Sequence, residues 1–359
     1  MPMVDCTKYP HTFPDTFCFA MPHPQLPANF RAIFNRNTSM TGEVVLPCLP
    51  SQLEDYVLRF TTLFDSMGKT FSQDEAEHLR KLIKLHLDEG FKASAVAKLI
   101  VKYEPSTNPP NGITYTVSAV APNMADQFTN WANSKEKPLF GTHADARILA
   151  AAKEFADPAK TKILDIGAGT GRNTIPLAKL GYKVDAVEVT PVFTEQIAAD
   201  AAKEGVSVNV ITGDILDPLV RLRALDYNLI ISAEVVSHFR DVNQMRLLFA
   251  KVCDYLKPNG ILVFSMFLPN EGFVPDQLTK EISELVWASL FTEAELQEAL
   301  DGLPLEIIAR DPVCEYERAN LPAEVWPPTG WFENWSMGKD LFAVEDSQMT
   351  MQWITCKRL

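Results

Sequence analysis

The sequence has few cysteines, and none of them stand close together. Six cysteines are spread over 359 residues, and no two have the C-x-x-C spacing that is typical of zinc sites and redox motifs. Neither a metal site nor a disulfide framework is therefore predicted. The cysteines are Cys6, Cys18, Cys48, Cys253, Cys314 and Cys356.

Long apolar runs are also missing. No window approaches the roughly 18 uninterrupted apolar residues that a membrane-spanning helix needs. Residues 1–27 do not combine a basic start with an apolar stretch, as a secretory signal would. The sequence therefore predicts a cytoplasmic protein that does not bind membranes.

The chain lacks tracts of lysine or arginine. Its formal net charge is −13, and almost all of the acidic excess lies beyond residue 120. A surface of this sign repels phosphate backbones, so a general nucleic-acid partner is not expected. Solubility is the simplest role for the excess acid.

Composition and pattern divide the chain into three parts. Residues 1–28 are rich in proline and aromatic residues without a regular period, which favours an extended arm. Residues 29–121 read as a mainly helical unit for substrate recognition or assembly. Two capping boxes, at 51–54 and 72–75, start its helices, and Gly90 is expected to end the second one. A strand is predicted over 112–120.

Beyond that unit, strands and helices alternate in residues 122–359. Regular alternation predicts an α/β fold, a Rossmann-like seven-stranded mostly parallel sheet with helices on both faces. After a helical stretch over 124–157, the expected strands are 162–166, 183–188, 207–211, 227–232, 260–265, 304–311 and 348–356. The expected helices between them are 171–180, 192–204, 215–223 and 241–256.

A glycine-rich turn follows the first of these strands. Gly167-Ala168-Gly169-Thr170-Gly171 leads directly from strand to helix, where glycines allow sharp turns and helix amides are free to bind a ligand. A dinucleotide fingerprint, G-x-G-x-x-G, would need glycine at position 172, which is Arg172. The spacing therefore disfavours a dinucleotide-dependent oxidoreductase.

This turn resembles the first motif of class I S-adenosylmethionine (SAM) dependent methyltransferases. The resemblance continues in order to about residue 266. It implies SAM as cofactor, with Glu188 accepting from the ribose hydroxyls, Asp214 from the adenine amino group, and Asp165 orienting the methionine amino group. The cofactor-binding residues that it implies are Asp165, Gly167, Ala168, Gly169, Thr170, Gly171, Asn173, Glu188, Val189, Gly213, Asp214, Ile215 and Ser232.

The segment after the fourth strand is expected to face the reactive methyl group. It carries the predicted catalytic residues Glu234 and His238. His238 would act as the base that takes the proton of the acceptor, although a structural histidine bonded to backbone is an equal alternative. A related subgroup has Glu-x-x-Glu-His and a divalent metal here. Ser237 replaces the second acid, so no metal is predicted.

Aromatic residues mark the predicted acceptor side. Trp331, Trp335 and Phe267 are expected to bind the substrate, within lid segments near 267–290 and in an irregular insertion over 316–346. Closing aromatic rings would exclude water and hold a flat or cationic molecule. Packing of this insertion onto the sheet edge is an equal alternative.

The predicted function is transfer of a methyl group from SAM to nitrogen or oxygen of a small-molecule acceptor. Two alternatives stay open. The chain could modify a protein that docks on the N-terminal unit, or it could be a SAM-binding scaffold without catalysis. The sequence does not identify the acceptor or the oligomeric state.

Overall fold

The computed structural model describes residues 40–106, 112–122, 127, 129–130 and 138–359. The predicted extended arm, 1–28, lies outside these residues. Two compact units are present: one ends at Val120 and excludes Phe91–Ala97, and the other consists of Phe91–Ala97 and Ala121–Leu359. No helix in the described part of the chain is long and apolar enough to cross a membrane.

The N-terminal unit combines two helices with a small antiparallel sheet of order β1-β2-β3. The helices and β3 were predicted, whereas β1 and β2 were not. Leu99 and Val101 of β2 are fully buried, so this sheet has an apolar face. The elements are β1 (Gly42–Pro47), α1 (Leu53–Ser66), α2 (Gln73–Ala93), β2 (Lys98–Ser106) and β3 (Gly112–Val120).

The two predicted capping boxes have different outcomes. At α2, the amide of Glu75 donates to the Ser72 hydroxyl at 3.3 Å, and the Ser72 amide donates to the Glu75 carboxylate at 2.8 Å. The box at Ser51 is wrong. A 3-10 turn over Pro50–Gln52 precedes α1, so that Gln52 and not Ser51 is the N-cap residue, and the Gln52 side chain does not cap the helix.

Gly90 was predicted to end α2, but this prediction is wrong because the helix continues to Ala93. The structure gives another reason for glycine here. A Cβ atom at this position would lie 2.6 Å from Sγ of Cys48 and 3.1 Å from Cβ of Ala119. Gly90 therefore allows the helix to approach the sheet closely.

The C-terminal unit is built on a seven-stranded sheet of order β6-β5-β4-β7-β8-β10-β9. Strands β4 to β8 are parallel, and β10 lies antiparallel between β8 and β9. The predicted fold is confirmed. Its strands are β4 (Lys162–Ile166), β5 (Lys183–Glu188), β6 (Val208–Thr212), β7 (Tyr227–Ser232), β8 (Leu256–Pro269), β9 (Leu305–Pro312) and β10 (Met349–Arg358).

Helices cover both faces of this sheet. Successive strand residues such as Ile163 and Leu164 belong to two separate apolar clusters, one on each face. The helices are α3 (Ala146–Lys153), α4 (Thr174–Lys179), α5 (Pro191–Glu204), α6 (Val242–Tyr255), α7 (Gln277–Leu285), α8 (Glu293–Leu300), α9 (Val313–Asn320), α10 (Phe332–Ser336) and α11 (Lys339–Phe342).

Three predicted segments differ from the structure. The predicted 124–157 helix is present at residues 127 and 129–130 and in α3, whereas residues 138–145 lead into α3 without helix. The predicted 215–223 helix is a series of turns, because the carboxylates of Asp214 and Asp217 accept from backbone amides two residues ahead, at 2.8 Å each. The insertion at 316–346 contains α10, α11 and most of α9 rather than irregular chain.

Candidate functional site

The glycine turn between β4 and α4 has the backbone that only glycine adopts readily. Gly167, Gly169 and Gly171 have φ values of +67°, +55° and +87°. A Cβ atom on Gly167 would lie 2.3 Å from a methyl carbon of Val235. The turn therefore brings bare backbone to the carboxyl edge of the sheet, where α/β folds bind their ligands.

Glu188, at the end of β5, lies beside this turn. One carboxylate oxygen accepts from the Gly169 amide at 2.9 Å and the other from the Thr190 amide at 2.8 Å. Each oxygen keeps lone pairs for further donors. Glu188 is 5% exposed, whereas the neighbouring Val189 is exposed.

Asp165 lies at the end of β4 and is almost fully buried. Its carboxylate accepts from the Thr174 hydroxyl at 2.6 Å. Burial raises the pKa of Asp165 to about 7. Ala168 and Thr170 of the turn are also buried.

The predicted adenine-side residues follow β6. The Gly213 amide donates to the backbone oxygen of Glu188 at 2.9 Å, which places both strand ends side by side. Asp214 is exposed, and Ile215 is 5% exposed. An acid that reaches solvent beside a buried apolar residue suits the edge and face of a purine ring.

Two buried hydroxyls near these strand ends could form hydrogen bonds with a polar ligand. Ser232 ends β7 and Thr190 precedes α5, and both residues are fully buried. Neither hydroxyl has a hydrogen-bond partner within the described chain. Since buried polar groups normally have partners, a ligand with several donors and acceptors fits this edge.

Glu234 lies at the opposite side of the turn and has an unusual backbone. Its φ is +59°, a conformation that costs a residue with a Cβ about 1–3 kcal/mol and persists only when neighbours hold it. The Glu234 amide donates to the buried Ser265 hydroxyl at 2.8 Å. Burial raises the pKa of the Glu234 carboxyl, while Arg172 and the indole N–H of Trp335 oppose that rise.

His238 ends a short turn over Val236–His238. Burial lowers the pKa of His238 to about 4, so its imidazole is neutral at pH 7. The prediction that it titrates near neutrality does not match this environment, because loss of water disfavours the imidazolium.

The predicted aromatic residues meet only in part. The rings of Phe267 and Trp335 are perpendicular, with centroids 5.2 Å apart, and Trp335 also faces Glu234. Phe267 is fully buried, so its ring supports Trp335. Trp331 instead packs against Phe332, and their ring centroids are 6.4 Å apart.

Three residues near the turn, which are Asp145, Arg172 and Phe140, were not identified from the sequence. Asp145 accepts from Arg172 at 2.7 Å and from the Asn173 side-chain amide at 2.9 Å. The Asn173 side-chain oxygen in turn accepts from the Asp145 amide, so Asn173 holds this segment in place. The Phe140 ring lies 3.4 Å from the position of a Cβ on Gly169. Motif spacing gives no signal for such long-range partners.

No group of three or more histidine, cysteine, aspartate or glutamate side chains within the described residues could hold a metal ion. Glu234 and His238 are among these residues. The hydroxyl of Ser237 donates to the backbone oxygen of Glu234 at 3.0 Å, and so it supports the turn.

Residues 163–260 match a family described as "Methyltransferase domain". The matched segment begins in β4 and ends in β8, so it includes the glycine turn, Glu188, Asp214 and Glu234.

Curated relatives match part of the chain. A "Ubiquinone biosynthesis O-methyltransferase" of Rickettsia canadensis (strain McKiel) is 32% identical over 111 residues, which are 31% of this chain and 44% of the relative. The protein of the same description from Caulobacter sp. (strain K31) is 26% identical over 156 residues, 41% of this chain and 60% of the relative. The chain thus spans less than half of the Rickettsia relative that it matches.

Solved structures resemble the chain over a longer stretch. A putative sarcosine dimethylglycine methyltransferase from Galdieria sulphuraria is 16% identical, with a TM-score of 0.48, over 66% of this chain and 98% of that one. Geranyl diphosphate methyltransferase in complex with GPP and sinefungin is 14% identical, with a TM-score of 0.47, over 60% of this chain and 77% of that one.

Proposed function

We propose that this chain, whose residues 163–260 match a family described as "Methyltransferase domain", is a class I SAM-dependent methyltransferase that transfers the methyl group of SAM to nitrogen or oxygen of a small-molecule acceptor. The observation that carries the proposal is the glycine turn, in which three left-handed glycines place backbone amides beside the Glu188 carboxylate. The description of the curated relatives favours oxygen as the acceptor atom.

The chain's own residues would hold SAM at the carboxyl edge of the sheet. The glycine turn and Asp165 lie where the methionine part would bind, Glu188 where the ribose hydroxyls would donate, and Asp214 with Ile215 where adenine would lie. When bound, SAM would supply a methyl group on a positively charged sulfur. The acceptor would attack the methyl carbon in line with the carbon–sulfur bond, and the sulfur would leave.

Alignment is the main contribution of the protein to such a displacement. Glu234 and Trp335 define the side from which an acceptor would approach. A proton on the acceptor would pass most readily to the Glu234 carboxylate, since burial raises its pKa and base catalysis is most effective when that pKa nears the working pH. His238 accepts a proton less readily because its pKa is about 4.

Binding is tested by calorimetry with SAM, S-adenosylhomocysteine and NAD. We expect micromolar-range affinity for the first two compounds and no response to NAD. Binding of NAD alone would contradict the cofactor assignment.

The acceptor class is tested with methyl-labelled SAM and fractionated cell extract. Label in small metabolites is expected. Label in a protein band would favour modification of a protein, and SAM binding without any labelled product would favour the scaffold.

We further propose that residues 29–121 form a unit for substrate recognition, which determines the acceptor that is methylated, or for assembly of the protein. A chain that starts at residue 122 should then bind SAM within about tenfold of the full chain and lose activity on the natural acceptor. Retained activity with unchanged acceptor affinity would limit this unit to stability or assembly.

A cytoplasmic location is also proposed. Its support is that four cysteines, Cys48, Cys253, Cys314 and Cys356, are buried and not in disulfide bonds, as is usual in reducing compartments. Cell fractionation that recovers the protein with membranes or in the medium would contradict this location.

A further inference from the structure

Arg172 connects the glycine turn to two distant carboxylates. Its Nη1 donates to Oδ1 of Asp145 at 2.7 Å, and its Nη2 donates to Oε1 of Glu234 at 3.1 Å. The Arg172 side chain is 10% exposed and that of Asp145 is 2% exposed. A fork of two donors in a fixed plane suits this double contact, and lysine cannot reproduce it.

Glu234 is held from several sides. Ser265 accepts from its amide, and Arg172 donates to its carboxylate. The buried Trp335 indole N–H lies beside that carboxylate but does not have the geometry of a hydrogen bond to it. Because φ of Glu234 is +59°, the residue needs these contacts to keep its conformation. The guanidinium is the only positively charged partner among them.

The charges around Arg172 are unbalanced. Arg172 is faced by Asp145 and Glu234 directly, and at longer range by Glu317 and Asp165. Glu234 is faced by Arg172, Asp145 and Trp335. One guanidinium is thus shared among several carboxylates, and its loss would leave the half-buried Glu234 beside like charges.

We propose that Arg172 is a positioning residue that fixes the Glu234 carboxylate beside Trp335, and so aligns the acceptor side of the site with the cofactor turn. The contacts themselves are independent of any ligand. Their catalytic meaning rests on the proposed methyl transfer.

The Trp335 indole N–H provides a test that needs neither acceptor nor cofactor. The full chain is labelled with nitrogen-15, and its six tryptophan indole signals are followed by NMR as the pH changes. Trp335→Phe identifies the signal. We expect this signal to titrate with Glu234 and to lose that response in Glu234→Gln.

Arg172→Met should move the midpoint of this titration upward by about one pH unit or more, because a neighbouring positive charge lowers a carboxyl pKa. Arg172→Lys should give an intermediate midpoint. If Arg172→Met does not fold, Arg172→Met combined with Asp145→Asn removes one charge of each sign and should show the same direction of change.

An unchanged midpoint in the folded variant, or a Trp335 signal that Glu234→Gln leaves as in the wild type, would overturn the proposal. Calorimetry with SAM on the same samples separates this outcome from the proposed function. A wild-type protein that does not bind SAM contradicts methyl transfer, whereas the NMR midpoints still decide the role of Arg172.

Discussion

At the scale of single residues, the site depends on carboxylates whose surroundings differ. Glu188 accepts hydrogen bonds from two backbone amides. Asp165 is buried and accepts one hydrogen bond, from the Thr174 hydroxyl. Glu234 is ion-paired in a strained backbone. The same chemical group can therefore recognise hydroxyls in one place and keep a proton in another.

Glu188→Ala should weaken SAM binding by roughly 1–3 kcal/mol, because a charged acceptor for two ribose hydroxyls is lost. Calorimetry measures the change. Glu195→Ala, which removes an exposed acid from α5, is the matched control and should bind as the wild type does. Wild-type affinity in Glu188→Ala would show that this acid acts only on the backbone of the turn.

Gly90→Ala should destabilise the protein by about 1–3 kcal/mol, because overpacking forces neighbours apart. The new Cβ would lie 2.6 Å from Sγ of Cys48. Urea unfolding provides the measurement. Combining the change with Cys48→Ala should cost less than the sum of the two single changes, and strict additivity would argue against this contact.

At the scale of whole elements, α9 stabilises the start of α3 over a long distance in sequence. The Glu317 carboxylate of α9 accepts from the amides of Ala146 and Arg147 and from the indole of Trp353, at 2.6, 3.1 and 3.0 Å. A carboxyl group at a helix start satisfies free amides there by accepting from them. The helix that leads to the glycine turn thus depends on the C-terminal part of the sheet.

Glu317→Ala should lower the free energy of unfolding by about 2–4 kcal/mol, since three buried donors lose their acceptor. Glu315→Ala, on an exposed position of the same helix, should change it by less than about 0.5 kcal/mol. Urea titration compares the two. Equal effects would mean that helix propensity, and not the contact with α3, determines the loss.

The sequence predicted elements well where local pattern determines them. The bounds of β4, β5 and β7 were predicted correctly, because parallel strands buried on both faces form short apolar runs. The strands β1 and β2 were missed because they pair with each other across two helices. In the site, the glycine turn was predictable from spacing, whereas the partnership of Arg172 with Asp145 and Glu234 depends on tertiary contacts.

At the scale of the whole molecule, buried carboxyls make stability depend on pH. Burial raises the pKa of Asp165 and of Glu284 to about 7, whereas both titrate near pH 4 when unfolded. The folded chain therefore holds these protons between about pH 4 and 7, and stability falls as pH rises through that range. His238, whose pKa burial lowers to about 4, acts in the opposite direction below about pH 6.5.

We therefore expect the unfolding midpoint in urea to be higher at pH 6 than at pH 7.5, by the equivalent of roughly 1–3 kcal/mol. Asp165→Asn keeps an acceptor for Thr174 and should reduce that difference. An equal or larger difference in this variant would show that Asp165 is ionised in the folded protein at both pH values.

The placement of β10 also matters while the chain is being synthesised. β10 is the last strand in sequence, yet it lies between β8 and β9. A nascent chain on the ribosome can pair β4 to β8 early, but β9 has no neighbour until residues 349–358 emerge. A premature stop before residue 349 would therefore release a chain with an exposed strand edge, which favours aggregation over a smaller folded protein.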